Sequence, residues 1–403
     1  MEQINIGLVG FGTVGQALYE VVSSARNAHA AVKRICVRSL DKPRKVQVPA
    51  ELLTTDAADI VNDPDISLVV EVIDDPEAAY RITCDALRAG KDVVSGNKAM
   101  IARHLPELIE LQQATGRALL YDASSCGSIP VIRNLEEYYD NDLLLEVKGI
   151  LNGSSNYILS RVFDHGEEYA DALARAQKLG FAESDPTHDI SGNDSLNKLV
   201  IITLHAIGVY VPPKEIFVYG IPTLRAEDIR YAREKGMKIK LVAQVVKLSD
   251  AKFTMFVMPE FVAPNRYIYA VDDEYNGVVI RGECYDRQFM FGKGAGGRPT
   301  ASSLLSDITA LRHNYRYEYK KMGFSPRPEY TADVTLKIYA RFEHTDLRAG
   351  LPWIAVNEEY RCDDYRYVIG EIRLSDLIAA APLLRADDIF LCNFPRFFAD
   401  RDD

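Results

Sequence analysis

The sequence predicts an α/β protein: a Rossmann-type doubly wound parallel sheet, then a second α+β domain, then a small α+β unit at the C-terminal end. Three observations predict it. Short β-rich runs alternate with helical patterns through the first 150 residues, a glycine motif stands between the first strand and the first helix, and beyond residue 150 helices give way to a succession of strands. Alternation of the first kind folds as βαβ units on a parallel sheet covered by helices.

In order, INIGLVG precedes TVGQALYEVVSSA, KRICV follows, LVVEVI precedes PEAAYRITCDALRAG, DVVS precedes LPELIELQQATG, and ALLYDA and LLEVKGIL close a domain at residue 150. From 151 to 313, NYILSRVF, EEYADALARAQKLG and DSLNKLVIITLHAIG have helical spacing. IKLVAQVVKL, KFTMFVMPEFV, YIYAV, NGVVIRGE and RQFMFG then read as strands of a mostly antiparallel sheet, closed by a helix from Thr300 to about Leu311. Residues 314–331, tyrosine-rich and basic with two prolines, read as a linker; in 332–403, DVTLKIYARF and YRYVIGEI read as strands and LSDLIAAAPLL as a helix.

Composition narrows the function classes. A net charge of −11, with no run of basic residues, opposes nucleic acid as a partner. The longest apolar segment, LVIITLHAIGVYV, is interrupted by His205 and is shorter than the ~20 residues of a membrane span, so it reads as a buried helix. MEQINIGLVG enters a strand without a basic segment followed by an apolar one; no signal peptide is read, and a cytoplasmic location is expected. Six cysteines, at 36, 84, 126, 284, 362 and 392, lack CxxC or Cys/His metal spacing and fit reduced thiols.

Gly10, Gly12 and Gly15, with Phe11, Thr13 and Val14 between them, form G-x-G-x-x-G at the mouth of the first helix. The glycines permit a tight turn and close backbone approach, and free N–H groups at the helix start attract a pyrophosphate. The second strand ends in Val37-Arg38, with Lys42, Arg44 and Lys45 following, where an acidic residue would grip the ribose of NAD(H). Cations there suit the 2′-phosphate of NADP(H), which is the expected cofactor.

The stretch LGFAESDPTHDISGNDSLNKLVI, residues 179–201, gathers Glu183, Asp185, Asp189, Asp194 and Lys198. Asp194 and Lys198 are four apart and share one face of a helix that is otherwise apolar. The lysine is either half of a surface pair at the helix edge or faces a cleft, where desolvation would lower its pKa. Asp185, before Pro186, suits a turn or a cap. Lys98, in SGNKA, follows a strand whose C-terminal end points to the crevice where doubly wound sheets bind ligands.

With SGNKAMIA (95–102), YDASSCGSIPVI (121–132), GILNGSSNYIL (149–159) and the acidic stretch all following the glycine loop in one order, the chain resembles homoserine dehydrogenases from residue 1 to about 312. The likeness ends in GKGAGGRPTASSLLSDI, similar to that family's second glycine-rich loop and its helix. It implies NAD(P)-dependent interconversion of homoserine and aspartate 4-semialdehyde on the way to threonine and methionine, a second domain for substrate and dimerisation, and a homodimer. It implies Lys198 as general acid/base, with Lys98 near the nicotinamide sharing the proton role. Substrate contacts fall by the same resemblance on Glu183, Asp189, Asp194, Asn152, Gly153 and Ser154, the last three matching an N-G-T segment. Gly294 and Gly296 join Gly10 to Gly15, Arg38 and Lys98 on the cofactor. Asp122, Ser125, Gly127 and Ile129 match a loop that holds a monovalent cation, Na or K, largely through carbonyls.

Three departures stand out: Asp74-Asp75-Pro76 replaces a Gly-Gly pair, Phe181 replaces a tyrosine, and the tail after KIYARF lacks the D-x-P-G-V-L signature of an ACT regulatory domain. They leave two other readings open. One keeps the scaffold for a different small aldehyde or oxo acid; the other is a catalytically silent NADP-binding regulatory protein, against which Glu183, Asp194, Lys198 and Lys98 together weigh.

Overall fold

The computed structural model describes residues 3–25, 27, 29–182 and 185–395. They form two compact units, each discontinuous in sequence. Unit 1 comprises Met1–Asp140, Val200–Tyr210 and Gly292–Gly323; unit 2 comprises Asn141–Leu199, Val211–Phe291 and Phe324–Asp403.

Unit 1 is built on six parallel strands, β1 (Ile4–Val9), β2 (Ala30–Cys36), β3 (Leu53–Thr54), β4 (Leu68–Glu71), β5 (Asp92–Ser95) and β6 (Leu119–Leu120). Their order is β3-β2-β1-β4-β5-β6, the doubly wound arrangement expected, with its reversal between β1 and β4. Helix Thr13–Ser24 packs on helix Gly297–Leu311, and Pro76–Arg88 packs on Lys98–Thr115. Asp75 caps the Pro76–Arg88 helix by accepting from the N–H groups of Glu77 and Ala78, each at 3.0 Å. That cap gives the Asp74-Asp75-Pro76 departure a structural role: the Asp75 carboxylate is turned onto its own helix, with proline at the first helical position.

Residues 314–323 belong to this unit and are not a solvated linker: Tyr317, Tyr319 and Lys321 are buried. Tyr121 Oη lies 3.1 Å from Tyr319 Oη and 2.8 Å from His205 Nε2, and His205 Nδ1 lies 2.5 Å from Glu136. Lys321 Nζ donates to the carbonyls of His205 and Leu135, and burial pulls its pKa down to about 8. The tyrosines that resemble a linker in sequence fill the core, because each hydroxyl or neighbouring backbone group finds a partner there.

Unit 2 carries one mixed sheet of eleven strands. These are β7 (Leu144–Ile150), β8 (Phe217–Val218), β9 (Lys238–Ser249), β10 (Lys252–Val262), β11 (Tyr275–Gly282), β12 (Asp286–Lys293), β13 (Glu329–Tyr330), β14 (Thr335–Phe342), β15 (Ala355–Arg361), β16 (Arg366–Arg373) and β17 (Phe390–Phe394). The path is β12-β11-β7-β9-β10-β17-β14-β16-β15, and β8, β13 and β17 all meet β10 in parallel. The sheet is mostly antiparallel, as the strand pattern predicts, and its parallel pairings are the short ones of β8, β13 and β17 with β10. YIYAV is not a strand: Tyr267–Ala270 is a 3₁₀ turn between Pro264-Asn265 and Asp272-Asp273, closed by the Tyr269 N–H on the Arg266 carbonyl.

The tail has a defined topology despite its missing signature. Strand β14, helix Leu347–Gly350, β15, β16, helix Leu374–Ala379 and β17 make βαββαβ, and the spatial order β17-β14-β16-β15 is that of a ferredoxin-like module. It shares a core with the rest of the unit, where Phe217, Phe256 and Met258 pack with Ile338, Phe342, Leu377 and Leu391. A fully buried ion pair ties it further: Arg341 Nε reaches Asp228 Oδ1 at 3.0 Å, and Tyr339 donates to the same carboxylate. No helix among the described residues is long and apolar enough to cross a membrane.

Candidate active site

The glycine loop of unit 1 combines two close backbone approaches with one open position. Gly10 has φ +101°, and a Cβ there would lie 2.8 Å from the Val72 carbonyl oxygen. A Cβ at Gly15 would lie 2.1 Å from the Gly10 oxygen, so these two glycines allow chain and helix to close on each other. Among the described residues a Cβ at Gly12 would meet nothing within 4 Å, and the helix that begins at Thr13 has no side-chain cap. A free cradle at an uncapped helix start fits a phosphate. The second glycine loop converges here: Gly296 (φ +115°) precedes the helix Gly297–Leu311, and a Cβ at Gly297 would lie 3.0 Å from the Thr13 carbonyl. Phe11 is buried, Val14 is half-buried, and Gly294 lies beneath Gly127.

Arg38 is exposed just beyond β2. The N–H groups of Ala78 and Glu77, and then the charges of Arg81 and Arg38, hold the Asp75 carboxyl below its ordinary pKa. Arg44, grouped with Arg38 by sequence, is instead folded back onto the carbonyls of Ser39, Leu40 and Lys42 at 2.5, 3.1 and 3.0 Å.

Lys98 is half-buried at the first position of its helix, and a ring of hydrogen bonds that lies outside the sequence motifs sets that position. Ser95 Oγ donates to Glu71 at 2.6 Å, Asn97 N–H donates to Ser95 Oγ, Asn97 Nδ2 donates to the Ile73 carbonyl, and the Ile73 N–H returns to Glu71 at 2.8 Å. Asn97 also caps the helix by accepting from Met100. Burial pushes the Glu71 carboxyl up to about 7. The sequence signal was available: an acid inside the apolar run LVVEVI, at the end of a central strand.

In unit 2 the structure brings Asn152, Asp189, Asp194 and Lys198 together. Asn152 Nδ2 donates to Asp189 at 2.7 Å and to Asp194 at 2.9 Å, while its Oδ1 accepts from Ser155 and caps the helix Gly153–His165. Lys198 Nζ lies 2.8 Å from Asp194 Oδ2 and donates to the Leu151 carbonyl at 2.6 Å. Lys198 and Asp194 are 5 % and 4 % exposed, so the bland alternative of a solvated surface pair does not hold. Two of the three ammonium donors thus have acceptors among the described residues.

The neighbouring motif residues serve the fold as well. Ser154 Oγ donates to the Phe181 carbonyl, and a Cβ at Gly153 would lie 2.6 Å from the Glu274 oxygen. Phe181 packs its ring on Tyr157 at 4.8 Å, a contact that needs no hydroxyl. Asp185 accepts from the N–H and hydroxyl of Thr187 two residues on, which is the turn role open to it from sequence. Glu183 lies outside the described residues.

The 122–129 loop of unit 1 uses its acid internally. Asp122 Oδ1 accepts from the N–H groups of Ile132 and Arg133, and its own N–H donates to Asp307, which Arg133 meets at 2.7 Å. Burial raises the pKa of both carboxyls. Gly127 has φ +56°, the Ile129 N–H donates to the Cys126 carbonyl, and the Ser125 hydroxyl is buried without a hydrogen-bond partner among the described residues. Among the described residues no group of three or more His, Cys, Asp or Glu is placed to hold a metal.

Comparison with known proteins gives one consistent result. The family profile described as homoserine dehydrogenase matches residues 130–309, and that of the homoserine dehydrogenase NAD-binding domain matches residues 10–122. The homoserine dehydrogenase of Bacillus subtilis is 33 % identical over 360 residues, covering 85 % of this chain and 83 % of its own. The crystal structure of a homoserine dehydrogenase from Thiobacillus denitrificans superposes with a TM-score of 0.82 at 29 % identity, covering 98 % of this chain and 99 % of that one. A hyperthermophilic archaeal homoserine dehydrogenase in complex with NADPH superposes with a TM-score of 0.66 at 27 % identity, covering 78 % and 99 %.

Proposed function

The chain belongs to the homoserine dehydrogenase family of oxidoreductases, and from that premise we propose that it interconverts L-homoserine and L-aspartate 4-semialdehyde with NADP(H) in preference to NAD(H), in threonine and methionine biosynthesis. The observation that carries the reading is the buried pair of Lys198 and Asp194 at 2.8 Å, set beside Asn152 and Asp189. The bound nicotinamide supplies the hydride. In this reading the remaining work falls to the chain's own residues.

As negative charge develops on the aldehyde oxygen, Lys198 Nζ directs its third N–H to it and delivers the proton; in the oxidative direction the neutral amine takes the hydroxyl proton. Asp194 and the Leu151 carbonyl hold the ammonium in place, and Lys98 shares the proton role. Asp189, Asp194 and Glu183 receive the substrate α-ammonium, while the N–H groups of Gly153 and Ser154, at a helix start, suit its α-carboxylate. Gly10 to Gly15, Gly294, Gly296, Arg38 and Lys98 take the cofactor, supported by the open cradle at Gly12. The buried hydroxyl of Ser125 supports a monovalent cation bound by oxygens of the loop that also contains Asp122, Gly127 and Ile129. A cytoplasmic homodimer completes the proposal.

The test is NADP-dependent oxidation of L-homoserine by the purified protein, followed by the absorbance of reduced nicotinamide, beside Lys198→Ala. A loss in kcat on the order of 10²- to 10⁴-fold is expected for the variant. Absence of turnover by the wild type, under conditions where the cofactor binds, overturns the reading.

A further inference from the structure

Resting on the NADP reading, we propose that Gln16 is a specificity-determining positioning residue: it holds the basic loop after β2 in the pose that receives the 2′-phosphate. The segment 37–47 contains no helix or strand, so its shape depends on side-chain bonds to its backbone. Gln16 supplies two of them from the first turn of the Thr13–Ser24 helix. Its Oε1 accepts from the N–H groups of Lys45 at 2.8 Å and Val46 at 3.0 Å, while its Nε2 donates to the carbonyls of Phe11 and Gly12, both at 3.3 Å. One amide therefore joins the loop beside the pyrophosphate cradle to the loop beside the ribose.

Arg44 braces the same segment from inside, with its guanidinium on the carbonyls of Ser39, Leu40 and Lys42. Its charge is spent on that turn, and Arg38, Lys42 and Lys45 are the exposed cations that remain. An anion gains most from cations already in position, since otherwise part of its binding energy goes into ordering the loop. NAD has no 2′-phosphate to benefit. Loosening the loop should thus weaken NADP selectively, without touching the hydride or proton step.

The experiment compares wild type, Gln16→Met and Gln16→Glu, with KM, kcat and directly measured Kd for each cofactor. It adds hydrogen exchange of the Lys45 and Val46 amides in the cofactor-free proteins. Gln16→Met should raise KM and Kd for NADP on the order of tenfold, change NAD less than about twofold, leave kcat near wild type and speed exchange at both amides. Gln16→Glu keeps an acceptor for Lys45 and Val46 but loses the donor to Phe11 and Gly12 and adds a negative charge, so it should lie closer to wild type in exchange at the two amides while weakening both cofactors. Equal effects of Gln16→Met on NADP and NAD, or unchanged exchange at Lys45 and Val46, overturn the assignment while wild-type NADP preference stands. A wild type that does not prefer NADP removes the NADP reading itself, and this assignment with it.

Discussion

Replacing Glu71 by glutamine should change how stability depends on pH, by an amount that follows from the burial of that side chain. Glu71 is fully buried, and burial raises its pKa from 4.5 to about 7 against the opposing hydrogen bonds from Ser95 and Ile73. A carboxyl whose folded pKa exceeds its unfolded one binds its proton more tightly when folded. Protonation therefore supports the fold below pH 4.5, and that support is lost as pH rises through 7. At about 1.36 kcal/mol per pKa unit the full loss is about 3.4 kcal/mol, of which about 2.5 kcal/mol falls between pH 5 and pH 8. Glutamine carries no titrating proton and retains one carbonyl acceptor for the ring that sets Lys98; whatever its mispaired NH₂ costs is the same at every pH. Urea unfolding of both proteins at pH 5 and pH 8 isolates the difference. The gap, variant minus wild type, should move by about 2.5 kcal/mol in the variant's favour at pH 8. A gap that stays constant across that range would refute the argument that Glu71 is buried at the cost of its charge.

Arg38→Ala should raise Kd for NADP far more than for NAD, with the difference shrinking as salt rises; an equal effect removes the phosphate clamp from Arg38. Gly12→Ala should leave Tm unchanged, because its Cβ meets nothing within 4 Å, yet weaken cofactor binding, whereas Gly15→Ala places a Cβ 2.1 Å from the Gly10 oxygen and should cost about 1–3 kcal/mol of stability. The two melting curves and a fluorescence titration check both halves. Arg341→Met strands Asp228 in the core of unit 2 and should cost about 3–5 kcal/mol, much of it recovered by adding Asp228→Leu; additive losses in denaturant melts would contradict a coupled pair.

Local chemistry carried a large part of this protein into its sequence. Alternating β-rich runs and helical spacing point to the doubly wound sheet, since such alternation folds as βαβ units on a parallel sheet. The glycines at 10, 12 and 15, and the four-residue step from Asp194 to Lys198, could be read because turns and helix faces are short-range. Whether Lys198 was a surface ion or a buried one could not be read there. Asn152 and the Leu151 carbonyl come from more than forty residues away, and only folding brings them to the same ammonium and carboxylate.

Long-range partners decided the rest. The tyrosines after residue 314 resemble a linker until Tyr121, His205 and Glu136 are placed around them. The tail shows no signature in its residues, yet its strands take a ferredoxin-like order, because strand pairing depends on register and topology more than on any fixed tripeptide. Arg44 looked like a partner of Arg38 and proved to be a brace for its own turn. The sequence by itself determined the class of chemistry, through the kinds of groups present and their local spacing. The tertiary structure decided which of those groups are held for a ligand and which are consumed by the fold, since each hydrogen-bond donor or acceptor committed inside the protein is one fewer to offer a substrate.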